Sequence, residues 1–179
     1  MRLTFLGTAA SEGYPDAFCA CANCGRAPEL GRPSLRMRSA ALLDDALILD
    51  LGPDVMAASL VHGVSLAAVR WCLITHEHAD HLDASHLSSR SPARGVVDAP
   101  RMELFATEGA LRKAAAALCP HLSLDGLLDP EVRARLNLLE LRPHFLEHLP
   151  EVLATTRDLV AMRPAQPTGS PLFRPARAA

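Results

Sequence analysis

The chain has 179 residues, 49% of them hydrophobic and 21% charged, which excludes a disordered polymer and suffices for a domain with a buried core. A formal net charge of -2 excludes the broad basic field of a nucleic-acid binder. No run approaches the roughly 20 apolar residues of a membrane span, and the opening MRLTFLGTAASEG has too short an apolar run for a signal peptide, so a cytoplasmic protein is expected. Aromatic residues are only 4%, so the core must rest on Leu, Val, Ala and Ile. Of the 18 basic residues 17 are Arg, and Lys113 is the exception.

In chain order, Arg2 to Leu6 reads as a strand closed by Gly7. Residues 8–35, rich in Gly, Pro and Cys, read as one long loop, a length that in a compact domain is functional or tied down. Ser39–Leu43 and Ala46–Leu49 are short apolar runs joined by Asp44-Asp45, which predicts a β-hairpin with a tight acidic turn. Asp50-Leu51-Gly52-Pro53-Asp54 ends the second strand, and Asp54 is placed to cap a helix running to His62 and stopped by Gly63. Val69–Thr75 is a continuous apolar run of strand length, which predicts a buried strand. Met102–Ala106 predicts another strand, and Thr107 a capped helix to Leu118, ended by Pro120. Pro130 suits the first turn of a helix to Leu136, and Leu138, Leu139 and Leu141 begin a further strand. Leu146–Met162 is apolar without a clean period, and Arg163–Ala179 carries four prolines. Strands pairing with short helices give an α/β class in layers, with a domain over 1–162 and a Pro/Arg-rich tail over 163–179.

Cys19, Cys21 and Cys24 crowd together, whereas Cys72 and Cys119 stand alone. An odd total argues against a disulfide framework, and the cluster's spacing points to a metal site rather than free thiols. Cys72, inside an apolar run, is expected to pack as a small hydrophobe. The densest chemistry lies in Thr75-His76-Glu77-His78-Ala79-Asp80-His81, at the end of the predicted buried strand. His76 and His78 are two apart, so in an extended segment they share a side and can grip one metal; Asp80 and His81 follow as the chain turns and can face a second. Imidazole plus carboxylate suits zinc, and also iron or manganese. His86 reads as a surface helix residue and His62 as an ordinary helix C-terminal one.

His76, His78, Asp80 and His81 match the HxHxDH motif of the metallo-β-lactamase fold hydrolases, and Asp50-Leu51-Gly52 matches their earlier DxG. Thr4 to Thr8 resembles that family's first strand and turn, and Cys19, Cys21 and Cys24 resemble the CxCxxC loop of the phosphodiesterase subgroup associated with carbon–phosphorus lyase operons. The pyrroloquinoline-quinone synthesis protein B group has a similar cysteine loop but usually lacks an intact HxHxDH. The resemblance covers about residues 1–118. It implies an αββα layered fold, with His76 and His78 on a first zinc, Asp80 and His81 on a second, Asp80 orienting the nucleophile, and Asp50 holding the metal loop by hydrogen bonds. It also implies a structural zinc on Cys19, Cys21 and Cys24, and a small phosphodiester as substrate.

The family's later ligands, a third His, a bridging Asp and a last His, have no counterpart in recognisable context. After His81 only His86, His121, His144 and His148 remain. Asp158–Pro167 faintly resembles the strand leading to the third His, but places Pro167 at the ligand position, and no acidic residue follows Asp158. The expectation is the N-terminal half to two-thirds of such a hydrolase, open to self-association as a homodimer. The alternative is an impaired or inactive homologue that still binds zinc. A nucleic-acid module built on the cysteine cluster is disfavoured by the near-neutral charge and the missing fourth ligand.

Overall fold

The structure, a computed structural model, describes residues 1–136, 138 and 141–150. Six strands form one sheet in sequence order: β1 (Leu3–Gly7), β2 (Ala40–Leu43), β3 (Leu47–Leu49), β4 (Trp71–Ile74), β5 (Met102–Ala106) and β6 (Leu141–Phe145). The pairs β1–β2 and β2–β3 are antiparallel, and every later pair is parallel. Parallel neighbours need crossovers. These are α2 (Val55–His62) before β4, α3 (Ser85–Ser89) before β5, and α4 (Glu108–Leu118), α5 (Leu124–Leu128) and α6 (Pro130–Arg135) before β6; α1 (Ala22–Leu30) lies between β1 and β2.

Strand alternation decides what lies under those helices. Leu42, Ile48, Cys72 and Leu104 are register partners across β2 to β5, and all are buried in one cluster with Val55 and Ala58 of α2, Leu87 of α3, Leu111 and Ala115 of α4 and Leu127 of α5. Cys72 is fully buried as expected, and burial pushes its thiol well above the usual range. The hairpin turn is the acidic one read in the sequence: Asp44 and Asp45 take φ of 47° and 59°, a pair of left-handed residues that suits a two-residue hairpin. The Arg2 guanidinium pairs with Asp45, and its backbone N–H donates to Asp44.

Several expectations change. The 8–35 loop contains α1, whose Gly25 and Pro28 hid it from a reading based on apolar period and propensity. Asp54 sits at the N-cap of α2 but makes no capping bond; its carboxylate instead accepts from the Arg38 backbone N–H (2.9 Å) and guanidinium (2.8 Å), tying α2 to the entry of β2. The strand read as 69–75 narrows to Trp71–Ile74. The helices capped by Thr107 and started by Pro130 form as read, and Asp129 caps the second through the Glu131 N–H. His86 is not a surface residue: its side chain is only 12% exposed, with Nε2 4.0 Å from the nearest Asp83 oxygen. The boundary at 162 and the tail over 163–179 lie outside the described residues. Among the described residues no helix is long and apolar enough to cross a membrane.

Leu104 is at the middle of the buried row and 1% exposed. Leu104→Ala should lower unfolding free energy by about 2–5 kcal/mol, measured as a shift in the urea midpoint at unchanged slope.

Candidate metal centres

The parallel register sets the first site. Leu49 of β3 pairs with Leu73 of β4, so Asp50 follows β3 as Thr75 follows β4 at the same sheet edge. The Asp50 N–H donates to the Leu73 carbonyl (2.8 Å), and the residue takes φ of 61°, a left-handed conformation that Asp tolerates better than most. It is 6% exposed. A carboxylate so buried needs partners, and the metal loop provides them. Oδ1 accepts from the Thr75 N–H (2.8 Å) and from the Thr75 hydroxyl (2.9 Å). Oδ2 lies 2.7 Å from His81 Nδ1. The hydroxyl's other side lies 3.0 Å from His76 Nδ1.

These contacts select tautomers. With Nδ1–H of His81 donating to Asp50, and Nδ1–H of His76 donating to the Thr75 hydroxyl, each ring keeps its Nε2 lone pair free to ligate. The His76 ring lies 4.6 Å from that of His78 and 4.1 Å from that of His81, centre to centre. His81 Nε2 stands 3.2 Å from an Asp80 carboxylate oxygen. With Nδ1 turned to Asp50, the Nε2 edge of His81 and the Asp80 carboxylate adjoin as two donors that one cation could share. The donors present therefore fit a divalent ion of the zinc, manganese or iron kind.

Two close approaches lock the loop in place. The Leu51 N–H donates to the His81 carbonyl and the Asp83 N–H to the Leu51 carbonyl, both at 2.8 Å. Gly52 lies so near that an added Cβ would sit 2.0 Å from the Asp80 carbonyl oxygen, which explains the glycine of the Asp50-Leu51-Gly52 motif. On the other side the Glu77 carboxylate rests on the first turn of α4, where a Cβ on Gly109 would sit 3.0 Å from it; the Lys113 ammonium donates to the Glu77 carbonyl at 2.7 Å. The helix N-terminus favours that carboxylate. Sequence reasoning missed Glu77, Gly109 and Lys113. The one available signal was that Lys113 is the single Lys in an Arg-rich chain.

The second cluster is tighter. Cys19, Cys21 and Cys24 are, among the described residues, the one group of three or more His, Cys, Asp or Glu whose donor atoms all lie within 4.8 Å of one another. Cys21 is the N-cap of α1 and Cys24 lies in its first turn. The Cys24 backbone N–H and then the neighbouring thiols hold the Cys21 thiol down at about 7, so the thiolate that a metal requires is accessible near neutral pH. The tripod's segment is anchored through Tyr14, which exchanges two backbone hydrogen bonds with Arg36 and stacks under its guanidinium.

The same criterion shows what is not assembled. No three of His76, His78, Asp80 and His81, alone or with another described residue, bring their donor atoms within that spacing, and no fourth residue joins the thiols. His144, on β6, is engaged elsewhere, with Nε2 2.6 Å from Glu103 and its ring stacked on Phe105.

No protein-family model matches the chain, and no curated protein does. Among solved structures it superposes on a diphosphatase of the PhnP family with a TM-score of 0.52 at 24% identity, covering 82% of this chain and 50% of that one. It superposes on zinc-bound PqqB from Methylobacterium extorquens with a TM-score of 0.55 at 20% identity, covering 81% of this chain and 46% of the other. The chain has the metallo-β-lactamase fold. It spans about half the length of the solved chains it matches. Of the expected αββα layers, the described residues form one half, a single sheet backed by helices.

The loop contacts give two expected outcomes. Gly52→Ala should displace Asp80 and His81 and strip metal from the histidine loop while leaving the cysteine-bound metal, as read by elemental analysis. Asp50→Ala removes the carboxylate that Thr75 and His81 share; it should weaken metal binding about 10–100-fold in a competition titration with a chromogenic chelator.

Proposed function

We propose that the chain is a zinc-dependent hydrolase of phosphodiester bonds, with His76, His78, Asp80 and His81 as ligands, and with Cys19, Cys21 and Cys24 holding a structural zinc. The observation that carries the reading is the pairing of both His81 nitrogens with carboxylates, Asp50 on Nδ1 and Asp80 at Nε2, beside the His76 ring. Adjoining imidazole and carboxylate donors on a loop with oriented tautomers are what a hydrolytic metal site needs. The fold matches include a diphosphatase and a zinc-bound protein, which supports hydrolase chemistry and zinc at the coarse level. The intact HxHxDH favours the phosphodiesterase-like reading over the PqqB-like one.

When bound, zinc supplies Lewis acidity toward a phosphoryl oxygen and acidifies water. The chain's own groups do the rest. His76 and His78 would hold one ion, and Asp80 and His81 a second, with Asp80 placed to orient the attacking water. Asp50, through Thr75 and His81, fixes the rings so that little reorganisation is needed on the way to the transition state. Manganese or iron would suit the same donors.

The alternative, a zinc-binding chain without hydrolysis, is favoured by one observation: among the described residues no three of His76, His78, Asp80 and His81 bring their donors to ligand spacing, whereas the three thiols do. The two readings separate cleanly. The hydrolase reading expects metal-dependent cleavage of an activated aryl phosphodiester, lost at least about 100-fold in His76→Ala, a cost in the range for removing a transition-state stabiliser. Metal that persists at the loop with no turnover in the wild type would leave the binding reading standing. Cys19→Ala should lower metal content and thermal stability together, since structural zinc adds directly to folding.

A further inference from the structure

The three clustered thiols are placed so that two of them can bond to each other instead of to a metal. Cys21 is the N-cap of α1, with extended backbone angles (φ -71°, ψ 159°), and Cys24 is the third residue of the helix. An N-cap side chain leans over the third helical residue, the placement a capping box uses, and residues three apart at a helix start are neighbours. All three sulfurs lie within 4.8 Å of one another. Cys19 and Cys21 are exposed and Cys24 is half-buried, so a small reagent reaches the group from solvent. The other two cysteines offer no such pairing among the described residues: Cys72 is buried in the core, and Cys119, at the end of α4, belongs to no group of this kind. Cys19 belongs to the preceding turn, where its N–H donates to the Asp16 carbonyl at 3.1 Å. A single residue separates it from Cys21, too short a loop to bridge without strain. The favoured pair is therefore Cys21 and Cys24.

We infer that the tripod is a redox switch, in which a Cys21–Cys24 disulfide replaces the metal that the three reduced thiols hold, a control that rests on the zinc reading of the cluster. The co-reactant is a low-molecular-weight disulfide, RSSR. The Cys21 sulfur, as thiolate, attacks one sulfur of RSSR; a bond from Cys21 to SR forms, the S–S bond of RSSR breaks, and one thiolate RS⁻ leaves. The Cys24 thiolate then attacks the Cys21 sulfur, forming the Cys21–Cys24 bond and expelling the second RS⁻. The chain gives up two electrons and two thiol protons, and RSSR is reduced to two RSH. The bridge uses two of the three sulfurs, and the thiolate left on Cys19 does not make a zinc site, since structural zinc takes four donors. Metal and disulfide thus compete for the same sulfurs. Either one ties together the same short stretch of chain at the start of α1, ahead of Ala27, the buried residue of that helix. The switch therefore changes metal content without undoing the fold.

The test treats the full chain with excess glutathione disulfide, both metal-free and zinc-loaded, and follows the tryptic peptide Leu3–Arg26, which carries all three cysteines, by mass spectrometry. In the metal-free chain this peptide should become two hydrogens lighter at unchanged far-UV circular dichroism, and zinc loading should slow the change at least about tenfold. Cys19→Ser should keep the lighter peptide, whereas Cys21→Ser and Cys24→Ser should each lose it. By elemental analysis the oxidised chain should hold about one zinc fewer than the reduced chain, and dithiothreitol should restore it. No lighter peptide, a lighter peptide that persists in Cys21→Ser, or an oxidised chain that keeps its full zinc overturns the switch. A chain that binds zinc at the cluster but forms no bridge fails the switch alone. A reduced chain that takes up no zinc there, with the bridge still forming, fails the zinc reading and the switch with it. None of these readouts uses hydrolysis.

Discussion

The Asp50 carboxylate is the interaction on which the rest of the candidate site depends. It is the buried charged side chain among the described residues, and what offsets its desolvation comes from Thr75 and His81 of the histidine-rich segment. Thr75, through both N–H and hydroxyl, and His81 close over it like a lid. Two strands with no chemistry of their own make this possible. The pairs Leu47–Trp71, Ile48–Cys72 and Leu49–Leu73 bring the ends of β3 and β4 level. A one-residue slip would turn Ile48 or Cys72 out of the core, so apolar burial fixes the register and the register places Asp50 beside the metal loop. Packing and site geometry are thus one constraint.

What was legible in the sequence follows from this. The strands announce themselves as short apolar runs, because parallel strands in a layered sheet are buried and leave little alternation. The Asp44-Asp45 turn is legible because few residue pairs accept two consecutive positive φ values. HxHxDH is legible because its donors lie within one segment. The illegible parts depend on partners far away in sequence. Asp54 satisfies a local capping rule, yet Arg38, sixteen residues earlier, outcompetes the helix N–H groups for its carboxylate. Glu77 lies between two predicted ligands and looked like a spacer, but its contacts are with α4, some thirty residues on. His86 looked like a polar helix residue, and only the packing of α3 shows it enclosed. Local pattern reports what a segment can be; it is silent about which distant group claims a side chain.

The two donor clusters differ for the same reason. The cysteine tripod is local: Cys19 to Cys24 span one turn and the start of α1, so short-range geometry alone brings three thiols within 4.8 Å. The histidine loop is held non-locally: Asp50 at the end of β3 fixes Thr75 and His81 after β4, and no three of its donors come within the spacing the thiols reach.

The state of His81 shows why the loop is more than a set of residues held close. Asp50 claims the Nδ1 side at 2.7 Å, and Asp80 stands at 3.2 Å from the Nε2 side. Each ring nitrogen thus faces a carboxylate. The backbone holds these groups together: the Leu51–His81 and Leu51–Asp83 hydrogen bonds fix the chain on either side, and the contact between Gly52 and the Asp80 carbonyl forbids retreat. The fold therefore holds the His81 ring and the Asp80 carboxylate side by side through packing and backbone hydrogen bonds elsewhere.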